Sequence, residues 1–248
     1  MTLADVEAFL KAASPDERKA VLQLLRQKFG LAIHPLEEKW QISAEAILEA
    51  IDQSGDLTQR GVRGVLAEAI FRTVVVPRRL RRWTDKPPIG DVAYDLCLSD
   101  GSYDPPVRVQ VKLQRRLKGQ PMLYQGAAGV YVVETQRTRT GKKRGKGSGG
   151  SDIIAGVMEP EGKKRQESQA TRPYRIDEFD LLAVCMQPST GDWQNFVYCA
   201  TRDLLRRASD PQLLEVLQPI RIAAGNANAE TPFTRDFEDA VRRVRTAR

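Results

Sequence analysis

The sequence predicts an α/β fold, a helical head followed by a small mixed sheet and a helical tail, and three observations carry that prediction. Apolar residues recur at helical spacing, with caps, up to about residue 72. From Thr73 the pattern changes to short β-branched and alternating runs bounded by turn residues. After residue 201 helical spacing returns. At about 150 residues per domain, 248 residues make one to two domains. The expected organisation is a helical subdomain over 1–57, a core over 58–201 and a helical tail over 202–248 packed on that core.

The head starts with Thr2 or Ser14 as a cap. Ser14-Pro15-Asp16-Glu17 is a capping box with proline at the first helical position. Val21, Leu22, Leu24 and Leu25 then form an apolar stripe, and Gly30 is a stop signal. Ser43 caps a further helix from Ala44 to Ile51, and another runs from Thr58 to about Arg72. Strands are expected at Thr73–Val76, Tyr94–Leu98, Val107–Leu113, Val130–Glu134, Leu181–Met186 and Phe196–Ala200. Residues 139–172, rich in Gly, Lys, Ser and Gln, read as a mobile basic insertion, because strand material resumes straight after them. Helices are expected again at Arg202–Ala208, Pro211–Leu217 and Thr234–Val244.

Composition closes off several classes. Hydrophobic residues make up 41%, enough for a core, and no apolar run approaches the roughly 18 residues of a membrane span. Cys97, Cys185 and Cys199 show no C-x-x-C spacing, and the N-terminus lacks the pattern of a signal peptide. A soluble protein of a reducing cytoplasm is expected, with no membrane partner. No P-loop or dinucleotide fingerprint is present, so no nucleotide cofactor is expected. One histidine, His34, and three dispersed cysteines leave no basis for a zinc site or a Ser-His-Asp hydrolase. His34 and Trp83 read as structural.

The net charge of +7 is unevenly placed. Residues 61–150 hold 18 Lys and Arg against 7 Asp and Glu, while the segments before and after are slightly acidic. A concentrated basic block fits a polyanion, and nucleic-acid phosphate is the first choice. A merely solvated basic surface is the alternative. The candidate phosphate contacts are Arg78, Arg79, Arg81, Arg82, Gln114, Arg115, Arg116 and Lys118, then Arg137, Arg139, Lys142, Lys143 and Arg144 in or beside the insertion. That last group is either a clamping arm or a polar insertion without a role.

The chemistry concentrates in two short runs, Tyr94-Asp95-Leu96 and Val109-Gln110-Val111-Lys112. The turn-rich stretch between them predicts an antiparallel hairpin, and symmetry about Ser102/Tyr103 sets Asp95 opposite Gln110. Strand parity sends Val109, Val111 and Leu113 toward a core, with Tyr94, Leu96 and Leu98 as the apolar set of the first strand. Arg108, Gln110, Lys112 and Gln114 take the other face, so Asp95, Gln110 and Lys112 share one patch. Asp91 is the rival carboxylate, and parity favours Asp95. Asp95, the Gln110 side-chain oxygen and the Val111 carbonyl are hard oxygen donors suited to Mg²⁺. Lys112 is placed to orient or deprotonate a water and to offset charge on a phosphate.

This arrangement resembles the PD-(D/E)XK nuclease superfamily in its variant with glutamine at the second acidic position. The resemblance spans roughly residues 58–201. It implies a restriction-endonuclease-like αβββαβ core, Mg²⁺-dependent hydrolysis of double-stranded DNA and often a homodimer, most like a type II restriction endonuclease. Homing, repair and modification-dependent endonucleases share that core. Gln110 also admits a non-catalytic DNA-binding protein on a degenerate nuclease fold. Members often carry a glutamate on the preceding helix, and Glu68 is the candidate here, because no other carboxylate lies between Asp56 and Asp85.

Overall fold

The protein is described by a computed structural model that covers residues 2–29, 34–86, 90, 92–102, 105–136, 173–221 and 232–246. The rival carboxylate Asp91, the insertion 139–172 and the basic residues Arg137, Arg139, Lys142, Lys143 and Arg144 lie outside the described residues. The chain divides into two compact units, Met1–Val62 and Arg63–Arg248, with the division inside a helix.

The first unit is helical. α1 (Leu3–Ala12) is closed by a Thr2/Asp5 capping box. In α2 (Pro15–Phe29) the expected box forms: the Ser14 N–H donates to Glu17 Oε2 at 2.8 Å and the Glu17 N–H to Ser14 Oγ at 3.3 Å. α3 (Pro35–Trp40) was not foreseen, because histidine is an unusual cap; His34 Nδ1 accepts the Leu36 N–H at 3.1 Å. Ser43 caps α4 (Ala44–Asp52) through the Ala46 N–H, and α5 (Asp56–Ile70) carries the chain into the second unit. Within Met1–Val62 the described buried apolar residue is Ala13.

The second unit is a mixed α/β structure. α5 runs into a π-helical turn, Phe71–Val75, and then α6 (Val76–Arg79). The strand expected at Thr73–Val76 is therefore helix. Phe71, Val75 and Val76 all bury their side chains in the core, and that packing overrides β-propensity. The wide turn also admits Pro77 near the start of α6, since its open ladder relieves the clash proline makes in a regular helix.

Five strands follow in one sheet, in the order β1-β2-β3-β7-β8: β1 (Thr84–Asp85), β2 (Leu96–Ser99), β3 (Val107–Leu113), β7 (Leu181–Cys185) and β8 (Phe196–Ala200). β3 and β7 are parallel and the other neighbours antiparallel. β4 (Arg116–Leu117) and β5 (Gln120–Pro121) make a small hairpin, and β6 (Val130–Glu134) pairs with β9 (Leu217–Arg221). Among the described residues no helix crosses between β3 and β7, where an αβββαβ core would place one. α7 (Gln187–Thr190) is a single turn after β7. α8 (Phe237–Arg245) covers the sheet instead, sending Phe237, Ala240, Val241 and Val244 into the same core as Phe71 and Val75.

Both faces of the sheet are covered. One core holds Leu96, Leu98, Val109, Val111, Leu181, Ala183 and the residues of α5, α6 and α8. The other holds Val133, Tyr174, Phe179, Leu182, Val184, Val197 and Ile220. Burial on two faces explains why β7 and β8 read as unbroken apolar runs. Arg202–Ala208 and Pro211–Leu217 are not α-helices; a 3₁₀ turn at Thr201–Asp203 and bridges such as Arg206–Leu214 take their place, bonded across the chain.

Candidate active site

β2 begins at Leu96, so Asp95 stands at the bend one residue before it. The observed pairs Leu96–Val109, Cys97–Arg108 and Leu98–Val107 are those of the expected hairpin; the ladder ends there, and Asp95 meets Gln110 through its side chain. Tyr94 departs from the expected parity. It precedes the regular strand and packs with Ala93 on the second core rather than beside Leu96.

The Asp95 carboxylate finishes what β2 leaves open. Past the strand's end its Oδ2 accepts the Val111 N–H at 2.8 Å and the Gln110 Nε2–H at 2.5 Å, while the Asp95 N–H donates to the Val109 carbonyl at 3.0 Å. Gln110 Nε2 also donates to the Val111 carbonyl at 3.2 Å. Asp95 Oδ2 and the Val111 oxygen thus converge on one donor. The sequence expectation had the Gln110 oxygen turned this way; the structure turns its nitrogen, because two facing acceptors need a donor between them.

Lys112, on the same face as Gln110, donates from Nζ to the Tyr174 hydroxyl at 3.2 Å and lies 5.2 Å from that ring's centroid. Burial pushes the Lys112 ammonium below its ordinary pKa, against the opposing charges of Asp95 and Glu68. Burial likewise raises the Asp95 carboxyl, partly offset by the Val111 N–H and by Lys112. Glu68 is near enough for its charge to act on both. The structure therefore brings Asp95, Gln110, Lys112 and Glu68 together.

Two residues join the site that the sequence did not single out. Arg72 bonds Glu68 Oε1 at 2.9 Å, Asp85 Oδ2 at 3.0 Å and the Asp95 carbonyl at 2.6 Å. Its i,i+4 spacing from Glu68 was the available signal. Tyr174 reaches Lys112 from 62 residues away, and nothing local announces it.

The basic candidates divide. Gln114 does not face solvent: it is 1% exposed, and its Oε1 accepts the Ser189 N–H at 3.0 Å. Arg115 is half-buried and ion-paired with Glu134, so it is not a surface contact. Arg82 is exposed but ion-paired with Asp100 and Glu238. Arg79 donates to the Gln194 carbonyl and Arg81 to the Arg78 carbonyl, with all three side chains on the surface. Arg116 and Lys118 stand on the exposed β4–β5 hairpin, whose turn pairs Lys118 (φ 48°) with Gly119 (φ 79°), the signature of a type I′ turn. Trp83 is buried and its Nε1 donates to Glu238 at 2.8 Å.

No protein-family profile matches the chain, and no curated protein matches it. Among solved structures it is similar to the bacterial homing endonuclease I-Ssp6803I, at 19% identity over 72% of this chain and 85% of that one. The TM-score is 0.34, at which the likeness carries no inference about fold or chemistry. Among the described residues no helix is long and apolar enough to cross a membrane, and no three His, Cys, Asp or Glu side chains group as a metal cluster.

Proposed function

We propose that this protein is a Mg²⁺-dependent, sequence-specific endonuclease that hydrolyses phosphodiester bonds of double-stranded DNA, a type II restriction enzyme acting as a homodimer. One observation carries the reading: the ends of β2 and β3 collect a carboxylate, an amide, a backbone carbonyl and a partly desolvated lysine, with a second carboxylate from α5 beside them.

The donor set fits a magnesium ion. Asp95 Oδ2 and the Val111 carbonyl already point at one electropositive group, the Gln110 amide nitrogen, and turning that amide over would present its oxygen instead. Asp95, Val111, Gln110 and Glu68 would hold the ion. Bound there, it would lower the pKa of a water and neutralise phosphate charge. The chain's own part is to orient and to exchange a proton. Lys112 Nζ, held by Tyr174 and shifted by burial toward its neutral amine, is the group to take the proton of the attacking water. It also offsets charge gathering on the phosphate oxygens. As water adds to phosphorus and the P–O bond to the sugar breaks, solvent protonates the departing alkoxide. Arg78, Arg79, Arg81, Arg116 and Lys118 supply exposed cations for the DNA backbone, and a homodimer's two-fold symmetry suits the cutting of two strands.

The test is incubation with phage DNA and Mg²⁺, with fragment ends mapped. Discrete fragments are expected, and Asp95→Ala and Lys112→Ala should each slow cutting by at least about 100-fold while leaving specific binding within a few-fold of the parent. Either variant cutting at the parental rate would remove that residue from the site. The fragment map also separates a restriction enzyme from a homing, repair or modification-dependent one.

A second reading, a DNA-binding protein without catalysis, is favoured by one feature. The Gln110 amide satisfies the Asp95 carboxylate without any metal. Salt-sensitive binding with no nicking in Mg²⁺ or Mn²⁺ would establish it.

A further inference from the structure

Arg72 sits in the π-helical turn that follows α5, and each nitrogen of its guanidinium has its own acceptor. Nη1 donates to Glu68 Oε1 at 2.9 Å, Nε to Asp85 Oδ2 at 3.0 Å, and Nη2 to the Asp95 backbone carbonyl at 2.6 Å. Asp85 is itself fixed, since its Oδ1 accepts the Cys97 N–H at 3.3 Å and its backbone pairs with Leu98 in β2. One planar cation therefore ties the Glu68 carboxylate of the helix, the edge strand β1 and the Asp95 backbone just before β2 together. A lysine could satisfy at most part of this fork, because its charge is a single point. The π turn adds an independent sign, for such turns persist mostly at functional places.

Two carboxylates close to each other repel, and an unliganded pair swings apart unless a cation lies beside it. We infer that Arg72 is a positioning residue that holds Glu68 beside Asp95 and so preforms the divalent-cation site before any metal arrives. The inference rests on the proposed reading of Asp95 and Glu68 as metal ligands. Outer partners of metal ligands commonly change affinity by about 10- to 100-fold when removed.

The experiment compares the full-length parent with Arg72→Lys, Arg72→Ala and Asp85→Asn. Mn²⁺ binding is measured by electron paramagnetic resonance without DNA, and the Mg²⁺ dependence of cleavage is measured alongside. In Arg72→Ala and Arg72→Lys, Mn²⁺ affinity should fall about 10- to 100-fold. The Mg²⁺ concentration for half-maximal cutting should rise in step, with the rate at saturating Mg²⁺ far less affected. Asp85→Asn, which removes only the far anchor, should give an intermediate loss. Arg72→Lys keeps a charge and guards against an unfolded alanine variant. Variants that bind Mn²⁺ like the parent while melting lower would make Arg72 a structural brace and overturn the inference, with the proposed activity intact. A parent that neither binds Mn²⁺ nor cuts would remove the metal-site reading and this role with it.

Discussion

Asp95 holds its ionised form against the preference of its surroundings. Burial raises its pKa above the usual carboxylate value, so the folded state binds this proton more tightly than the unfolded chain does. The associated stability is present in full at acid pH and is lost as pH rises from the ordinary carboxylate value through the raised one. Asp95→Asn cannot ionise and escapes that loss. Its melting temperature should match the parent's near pH 4 and exceed it by a growing margin toward pH 7. A margin that shrinks or reverses in a thermal-melt series would contradict the assignment of cost. Asp95, Gln110 and Lys112 were legible in the sequence because one short hairpin relates them, and its symmetric turn fixed which faced which. Arg72 was half legible, through its spacing from Glu68. Tyr174 was not legible at all, since its meeting with Lys112 depends on how β7 comes to lie beside β3.

At the scale of elements, α8 does work the sequence placed elsewhere. Phe237 is 3% exposed and meets both Trp83 and Tyr198 edge-on at 5.2 Å, joining the helix to the sheet. Phe237→Ala should cost about 3 to 5 kcal/mol, a drop on the order of 10 °C in melting temperature, measurable by calorimetry. The elements misread from sequence share one cause. Val74-Val75-Val76 has the composition of a strand, yet Val75 and Val76 bury a helical face. Residues 211–217 have helical spacing, yet Leu213 and Leu214 make β-bridges, Leu214 deep in the second core. β9 went unseen because Pro219 demotes a strand, and the structure accepts it in a two-stranded pair where little else depends on its missing N–H. Local pattern lost each time to a partner distant in the chain.

Across the whole molecule, the basic block of residues 61–150 is less available than its count suggests. Arg72, Arg82, Arg108 and Arg115 are each committed to internal ion pairs. The logarithm of the DNA-binding constant should fall linearly with the logarithm of salt concentration, with a slope near −0.9 for each phosphate neutralised. Lys118→Ala, at the exposed hairpin tip, should weaken binding to all sequences alike and reduce that slope by about one, read from fluorescence anisotropy over a salt series. An unchanged slope would take the β4–β5 hairpin out of the DNA contact.

The π turn at Phe71–Val75 has a genetic corollary. It uses one residue more per turn than an α-helix, and each residue of an α-helix advances the chain by about 100°. Loss of a single codon there would restore a regular spiral and leave Glu68 facing the strands that follow, because the deleted residue is the one the wide turn absorbs. Elsewhere a one-codon deletion inside a helix turns one half against the other by about 100° and disrupts packing; at this turn the expected product is well formed with its two halves still aligned.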